Sequence, residues 1–271
     1  MTDNAAGAQT NGSGSDNWVA KVPEVTLVFW IIKILCTTIG ETGGDAFTMS
    51  FLGETTSEAS PNGYLIGTAV FGVIFVIAVV IQIKASKFHP FLYWFTIIAT
   101  TTVGTTLADY LTRSNGLGYT VGSSLLLVCV VLSLIVWKFS TGSIDIATVR
   151  TAKTEMFYWV TIMFSQTLGT ALGDWFADTA DFGYLGAASV FGAGLLVLAL
   201  VYYFSTVSRT ILFWIAFILT RPLGAVVGDF LDKPYEDGGL ELSRYVATAI
   251  LVVLIAAAIL IFSQKPAEEA H

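Results

Sequence analysis

The chain has 271 residues, of which 55% are hydrophobic and only 12% are charged. A soluble domain usually carries about 25% charged residues, so this composition excludes an ordinary soluble domain. The formal net charge of −7 comes without a basic patch, and we expect no nucleic-acid partner. Charges collect between apolar runs of about 20 residues, the length that crosses a bilayer. The composition predicts a multi-pass membrane protein in contact with the lipid bilayer.

The apolar runs divide the chain into a predicted membrane domain at 18–263 with a polar tail at each end. Residues 1–17 are rich in Gly, Ser and Asn, which indicates a disordered cytoplasmic tail rather than a signal peptide, and 264–271 form the second tail. Eight spans are predicted, at 24–47, 64–83, 89–111, 119–137, 154–177, 183–204, 208–231 and 244–263. The connections are short and carry no catalytic or cofactor motif. We therefore expect neither an enzyme nor a bound cofactor.

The basic residues near the span ends are unevenly distributed between the two sides. One side receives Lys21, Lys84, Lys87, Lys138, Arg150, Lys153, Arg209 and Lys265, and the other receives only Arg113, Lys233 and Arg244. Lys and Arg accumulate on the cytoplasmic side of membrane proteins. Both termini are therefore predicted to be cytoplasmic.

A sequence repeat organises the odd-numbered spans. The pattern W-x9-G-x4-D begins at Trp30, Trp94, Trp159 and Trp214, and its aspartates are Asp45, Asp109, Asp174 and Asp229. The repeats run over about 24–84, 88–138, 153–205 and 208–263, each predicted to be a two-helix hairpin in the same membrane orientation. Such repeats are related by an axis along the membrane normal. The predicted fold is an all-α protein of eight transmembrane helices with pseudo-fourfold or paired twofold symmetry.

With these four motif copies the chain resembles a family of bacterial integral membrane proteins. That family has four tandem repeats, each with two transmembrane segments and a characteristic tryptophan, and its function is unknown. The resemblance covers about Trp18 to Phe262. It implies the architecture and a location in the bacterial inner membrane, and it implies no chemistry.

Each odd span carries two neighbouring stripes of residues on its helix surface. Small residues four apart, such as Gly40 and Gly44, favour close helix packing. The second stripe is polar, with positions four apart on one face. It comprises Thr37, Glu41 and Asp45; Thr101, Thr105 and Asp109; Gln166, Thr170 and Asp174; and Arg221, Ala225 and Asp229, with Lys33 one turn before Thr37. Charges facing lipid are costly, so these stripes are predicted to face each other.

The acidic residues of the polar stripes are candidate ligands of a transported cation. Intramembrane carboxylates mark ion pathways, and acidic rings select cations. The candidate metal ligands are Asp45, Asp109, Asp174, Asp229 and Glu41, with Thr37, Thr101, Thr105, Gln166 and Thr170 as pathway groups. Oxygen ligands suit hard divalent ions, and we expect a transporter of a cation such as manganese. Crowded carboxylates also hold protons, which favours exchange.

Two other interpretations stay open at the level of sequence. In the first, the acidic residues only hold the hairpins together in a structural or signalling membrane protein. Lys33 and Arg221 are charge partners that would instead bind a small anion or metabolite. If the first and fourth repeats are neighbours, Arg221 is placed to pair with Glu41 or to act as the counter-ion of the empty site. Pro222 is predicted to kink its span.

Overall fold

The structure is a computed structural model that describes residues 20–54 and 62–267. The described residues contain eight long α-helices, and each predicted span corresponds to one of them. The helices are α1 (Leu27–Asp45), α2 (Gly63–Lys84), α3 (Pro90–Asp109), α4 (Gly118–Thr141), α5 (Ala152–Asp174), α6 (Gly183–Phe204), α7 (Arg209–Asp232) and α8 (Arg244–Ile261). The predicted tail at 1–17 and residues 268–271 of the second tail lie outside the described residues.

Seven of the eight helices are long and apolar enough to cross a membrane. The exception is α5, whose polar residues Gln166, Thr167 and Thr170 lower its hydropathy. All three of these side chains are fully buried, so the helix hides its polarity inside the protein. This pattern is that of a multi-pass membrane protein with a polar interior.

The four odd-numbered helices form a closed inner ring. Contacts join α1 to α3, α3 to α5, α5 to α7 and α7 back to α1. The even-numbered helices lie outside this ring and expose apolar side chains such as Val73, Val76 and Leu196, each more than half exposed. Apolar residues facing outward and polar residues facing inward are what a bilayer environment requires.

Each outer helix packs on the inner helix of the following repeat rather than on its own. Helix α2 packs on α3, α4 on α5 and α6 on α7, while α8 returns to α1. Within the first three repeats, the outer helix touches the segment that follows its own inner helix. Each outer helix therefore connects its own repeat to the next one, and α8 connects the fourth repeat to the first. Each predicted hairpin is therefore a repeat in the sequence, but its two helices do not pack together as a pair.

Glycines set the register between neighbouring inner helices. A Cβ added to Gly40 would overlap Thr101, one added to Gly104 would contact Gln166, and one added to Gly169 would overlap Arg221. A Cβ added to Gly224 would overlap Thr37, so the fourth inner helix packs against the first in the same way. In every case the motif glycine of one repeat lies against the residue seven positions after the motif tryptophan of the next. The predicted packing role of the small stripe is therefore confirmed, and the facing residue is polar.

Aromatic side chains fill the end of the ring at which the inner helices begin. Trp94, Trp159 and Trp214 are buried there, and the hydroxyls of Tyr93 and Tyr158 are 2.6 Å apart. We call this the aromatic end and the opposite one, where the motif aspartates lie, the acidic end. Trp94, Trp159 and Trp214 belong to this buried cluster, and Trp30 packs against it while partly buried.

Both ends of the described chain lie at the aromatic end. Pro23 and Pro266 form an antiparallel bridge. Lys21 donates to the carbonyl oxygens of Gln82, Ile83 and Ala85 at the end of α2, and its Nζ lies 2.6 Å from the carboxylate of Glu155. These contacts hold the first described segment against the last one, against the end of α2 and against α5, all at the aromatic end.

Candidate functional site

The four motif aspartates lie at the acidic end, each near the end of an inner helix. Asp45, Asp109, Asp174 and Asp229 are 1%, 1%, 3% and 2% exposed. After the first three of them the helix widens into π-helical turns, at Ala46–Phe51, Tyr110–Ser114 and Trp175–Thr179. The fourth helix continues as an α-helix to Asp232. Such wide turns recur at functional sites, because they redirect side chains and backbone carbonyls.

Two basic residues bind the aspartates in pairs. The Arg113 guanidinium lies 3.2 Å from Asp109 and 3.3 Å from Asp174, so it joins the second and third repeats. The Lys233 ammonium lies 2.5 Å from Asp45 and 3.2 Å from Asp229, so it joins the first and fourth. Four buried carboxylates thus share two cations.

The charge of Lys233 is stabilised by its surroundings. Burial alone lowers the pKa of this ammonium, but the carboxylates of Asp45, Asp229 and Asp232 outweigh that effect. The pKa therefore lies well above its ordinary value, although Arg113 opposes the shift. Lys233 is a cation throughout the physiological range.

A second polar level lies one helical turn deeper and is centred on Arg221. Its Nη2 lies 3.0 Å from Oε2 of Glu41 and 2.6 Å from Oγ1 of Thr105, and it also donates to Oγ1 of Thr170. One guanidinium of α7 therefore contacts the three other inner helices. The first and fourth repeats are neighbours, and Arg221 pairs with Glu41 as predicted for that case. Pro222 lies inside the continuous helix α7, and its kink stays a prediction.

One group of carboxylates has the spacing of a metal site. Oxygen atoms of Glu41, Asp45 and Asp229 lie within 4.8 Å of one another, and all three residues are buried. Oδ1 of Asp45 has no hydrogen-bond partner among the described residues. Three carboxylates at this distance suit a hard divalent cation. The Lys233 ammonium holds two of them.

The remaining predicted pathway residues have different surroundings. The hydroxyls of Thr37 and Thr101 donate across helix boundaries, to the carbonyl oxygens of Thr220 and Cys36, at 3.2 and 3.1 Å. Gln166 is fully buried, and neither polar atom of its side chain has a partner within the described part of the chain. The two threonines thus join helices, and whether any of the three lines a pathway stays a prediction. Lys33 is fully buried beside Phe217.

Arg113 and Lys233 are site residues that the sequence interpretation missed. It treated both only as markers of membrane orientation. The available signal was their spacing, since each follows a motif aspartate by four residues, one helical turn. The corresponding positions of the first and third repeats are Met49 and Asp178. The sequence interpretation also missed the ion pair between Asp232 and Arg244, in which Oδ2 and Nε are 3.5 Å apart.

Fold and site together define an all-helical, membrane-type protein of four tandem repeats with a buried acidic cluster. The comparison with protein families matches residues 28–88, 92–143, 157–208 and 212–265 to a family described as Repeat of Unknown Function (DUF347). The chain belongs to this family. Searches among curated proteins and among solved structures gave no match.

Proposed function

We propose that this protein is a membrane transporter that exchanges a hard divalent cation, such as manganese, for protons at its acidic end. The observation that carries the proposal is the buried cluster of Glu41, Asp45 and Asp229, with oxygen atoms within 4.8 Å of one another. Asp109 and Asp174 extend it around the ring through Arg113. A purely structural pairing of helices needs no cluster with metal-ligand spacing.

The balance of charge favours a divalent ion. When ionised, the four motif aspartates carry four negative charges, and Arg113 and Lys233 neutralise two of them. Two negative charges are left in a region that is almost inaccessible to solvent. This excess negative charge is costly in a low-dielectric interior unless protons or a metal ion offset it. One divalent cation or two protons would do so equally, which is the condition for exchange.

Lys233 and Arg221 are the internal cations in this proposal. Lys233 occupies the space between Asp45 and Asp229, and Arg221 holds Glu41. An arriving metal ion would displace Lys233, whose side chain is 11% exposed. Arg221, fully buried, would then separate the acidic end from the deeper interior.

The orientation of the protein follows from the same proposal. The aromatic end would lie in the cytoplasmic half of the inner membrane with both termini, and the acidic end would face outward. Arg113 and Lys233 occur in alternate repeats, which supports a paired twofold relation over a fourfold one. Single cysteines introduced at Lys87 and Asp237, both exposed, test the orientation by labelling with an impermeant maleimide in intact cells. Only the second is expected to react.

Transport is tested with purified protein in proteoliposomes that carry a pH gradient. Wild-type protein is expected to move manganese against the proton flux, and Asp109→Asn and Asp174→Asn are expected to abolish this movement. Asp237→Asn is the matched control, because it removes an exposed carboxylate beyond the same end of the ring. Folding of each variant is checked by its elution and thermal unfolding.

The competing function is a structural one, in which the ion pairs only hold the repeats together. It is favoured by the fact that each motif aspartate lies beside a base. Folded Asp109→Asn and Asp174→Asn variants with undiminished flux would support this structural role and contradict the carboxylate pathway.

A further inference from the structure

A mainly apolar groove opens on the outer surface of the protein at the aromatic end. It is lined mainly by α1, α6 and α7, and its volume is about 540 Å³, within the range of about 300–1,000 Å³ for small-molecule sites. The α7 residues Leu212, Phe213 and Thr220 are buried and form its inner side. Leu27 of α1 and Leu196 of α6, which also line it, are 76% and 62% exposed. The groove is therefore open to the surroundings of the helices, which for a membrane protein are lipid.

The groove is as long as one membrane leaflet is deep. On α7 its lining begins at Arg209, the first residue of the helix, and ends at Thr220. At a rise of about 1.5 Å per residue this stretch is about 16 Å long, and half of a hydrocarbon core of about 30 Å is about 15 Å. Between these two residues the lining is mainly apolar, with Trp30, Ile34 and Phe213 among its members. An acyl chain of a lipid in the leaflet at the aromatic end matches this length and this chemistry.

Two opposite charges lie at the end of the groove where α7 begins. Arg209 lines the groove from α7, and Asp145 lines it from the connection between α4 and α5. Within the described residues, neither side chain forms an ion pair, with the other or with a third residue. A guanidinium and a carboxylate that share a groove without pairing leave one position for an anionic group and one for a cationic group.

Both charged side chains keep unused hydrogen-bonding capacity. Arg209 donates to the carbonyl oxygen of Tyr202, and its Cζ lies 4.2 Å from the centroid of the Tyr202 ring. The carboxylate of Asp145 accepts from the backbone N–H of Ala147 at 2.9 Å and from the hydroxyl of Thr210 at 3.1 Å. A guanidinium has more N–H groups, and a carboxylate more lone pairs, than these contacts use. Because Thr210 directly follows Arg209, its contact with Asp145 places the two charges at the same level of the groove.

We propose that this groove binds one phospholipid with an ethanolamine headgroup. The Arg209 guanidinium suits the phosphate, the Asp145 carboxylate suits the primary ammonium, and the apolar lining covers an acyl chain. Phosphatidylglycerol has no ammonium group, and the quaternary ammonium of phosphatidylcholine cannot donate a hydrogen bond. A soluble molecule with the same charges would leave the apolar length of the groove without a partner. The groove lies at the opposite end from the acidic cluster, and the proposal does not depend on cation transport.

The test is native mass spectrometry of the purified, delipidated wild-type protein, titrated with phospholipids that share their acyl chains and differ in headgroup. The first phosphatidylethanolamine is expected to bind about tenfold more tightly than phosphatidylglycerol or phosphatidylcholine, as one added charge-assisted hydrogen bond would give. Glycerophosphoethanolamine, the same headgroup without acyl chains, is expected not to compete. Equal affinities for the three lipids would overturn the proposal, and so would competition by the soluble headgroup. A protein dimer without lipid would show that a second copy covers the groove, which would also overturn it.

A blocking variant assigns the binding to the groove. Ala199→Phe adds an aromatic ring to the lining on α6, and it is expected to abolish the preference for phosphatidylethanolamine. Ala193→Phe, also at an exposed position of α6 but outside the lining, is the matched control and is expected to bind like wild type. Because both alanines are exposed, both variants are expected to fold, which their thermal unfolding checks. Unchanged lipid affinity in Ala199→Phe would contradict the assignment.

Two charge variants separate the parts of the headgroup. Asp145→Asn keeps the size of the side chain, and it is expected to lower the affinity for phosphatidylethanolamine about tenfold, to that for phosphatidylcholine. Arg209→Gln is expected to weaken the binding of all three lipids, since each of them contains a phosphate. Lys138→Gln, at an exposed lysine near the end of α4, is the control for a general loss of positive charge. An Asp145→Asn protein that still prefers phosphatidylethanolamine, or an Arg209→Gln protein with unchanged affinities, would contradict the proposal.

Discussion

Lys233, which directly follows the last inner helix, places its ammonium 2.5 Å from the carboxylate of Asp45 in the first one. This ion pair joins the two ends of the repeat array, 188 residues apart in sequence. Together with the packing of α8 on α1, it converts a linear series of repeats into a closed ring.

The stability of this closure is expected to depend on Lys233. Lys233→Met leaves the buried carboxylates of Asp45 and Asp229 without their shared cation. Removing one partner of a buried ion pair costs about 3–5 kcal/mol, and the low exposure of Lys233 places it near this range. The measurement is the midpoint of unfolding in nanodiscs, with Lys87→Met as the control. Equal midpoints for the two variants would show that the pair contributes nothing to closure.

The same variant is expected to bind divalent cations more tightly. Without Lys233 the acidic end carries one more uncompensated negative charge, and the space between Asp45 and Asp229 is free. Manganese is therefore expected to raise the unfolding midpoint of Lys233→Met more than that of wild type. A smaller shift in the variant would indicate that Lys233 helps to form a metal site rather than to occupy it.

Alkaline pH is expected to weaken the closure through Lys233. Because its pKa in the folded protein lies well above the unfolded value of about 10.4, its contribution to stability is complete below that value. The contribution is lost as pH rises through the folded pKa. Wild type is therefore expected to lose stability more steeply than Lys233→Met above about pH 10.4. Parallel unfolding curves for the two proteins across this range would contradict the linkage.

The contact between Gly224 and Thr37 is expected to tolerate no added methyl group. A Cβ on Gly224 would overlap the Thr37 side chain and press on its backbone, forcing α1 and α7 apart. Overpacking of this kind costs about 1–3 kcal/mol. Gly192→Ala, in the outer helix α6, is the control, since nothing lies within 4 Å of its added Cβ. Thermal unfolding of both variants measures the difference.

The pair of Arg221 and Glu41 is expected to show strong energetic coupling. Arg221→Met leaves Glu41 as an unpaired buried carboxylate, whereas the double variant with Glu41→Gln removes both charges. A double-mutant cycle of unfolding free energies is expected to give a coupling of about 1–3 kcal/mol. Strict additivity would mean that the 3.0 Å contact carries no net interaction.

Periodicity made much of this protein predictable. The eight spans and four repeats follow from apolar runs of bilayer length and from the spacing of Trp, Gly and Asp, and the family match covers the same repeats. The burial of the polar stripes follows from the cost of charge in lipid. The pairing of Glu41 with Arg221 was predictable only on the condition that the first and last repeats meet.

The sequence by itself determined which residues face inward, because one helix turn fixes which side chains share a face and lipid excludes charge from the other side. Only the tertiary structure decided which of these residues meet. Arg113 and Lys233 each bridge two repeats, and Lys33 is left without an acid among the described residues, because the ring brings helices together that are distant in the chain. Spacing along one helix carries no information about the helix that lies opposite.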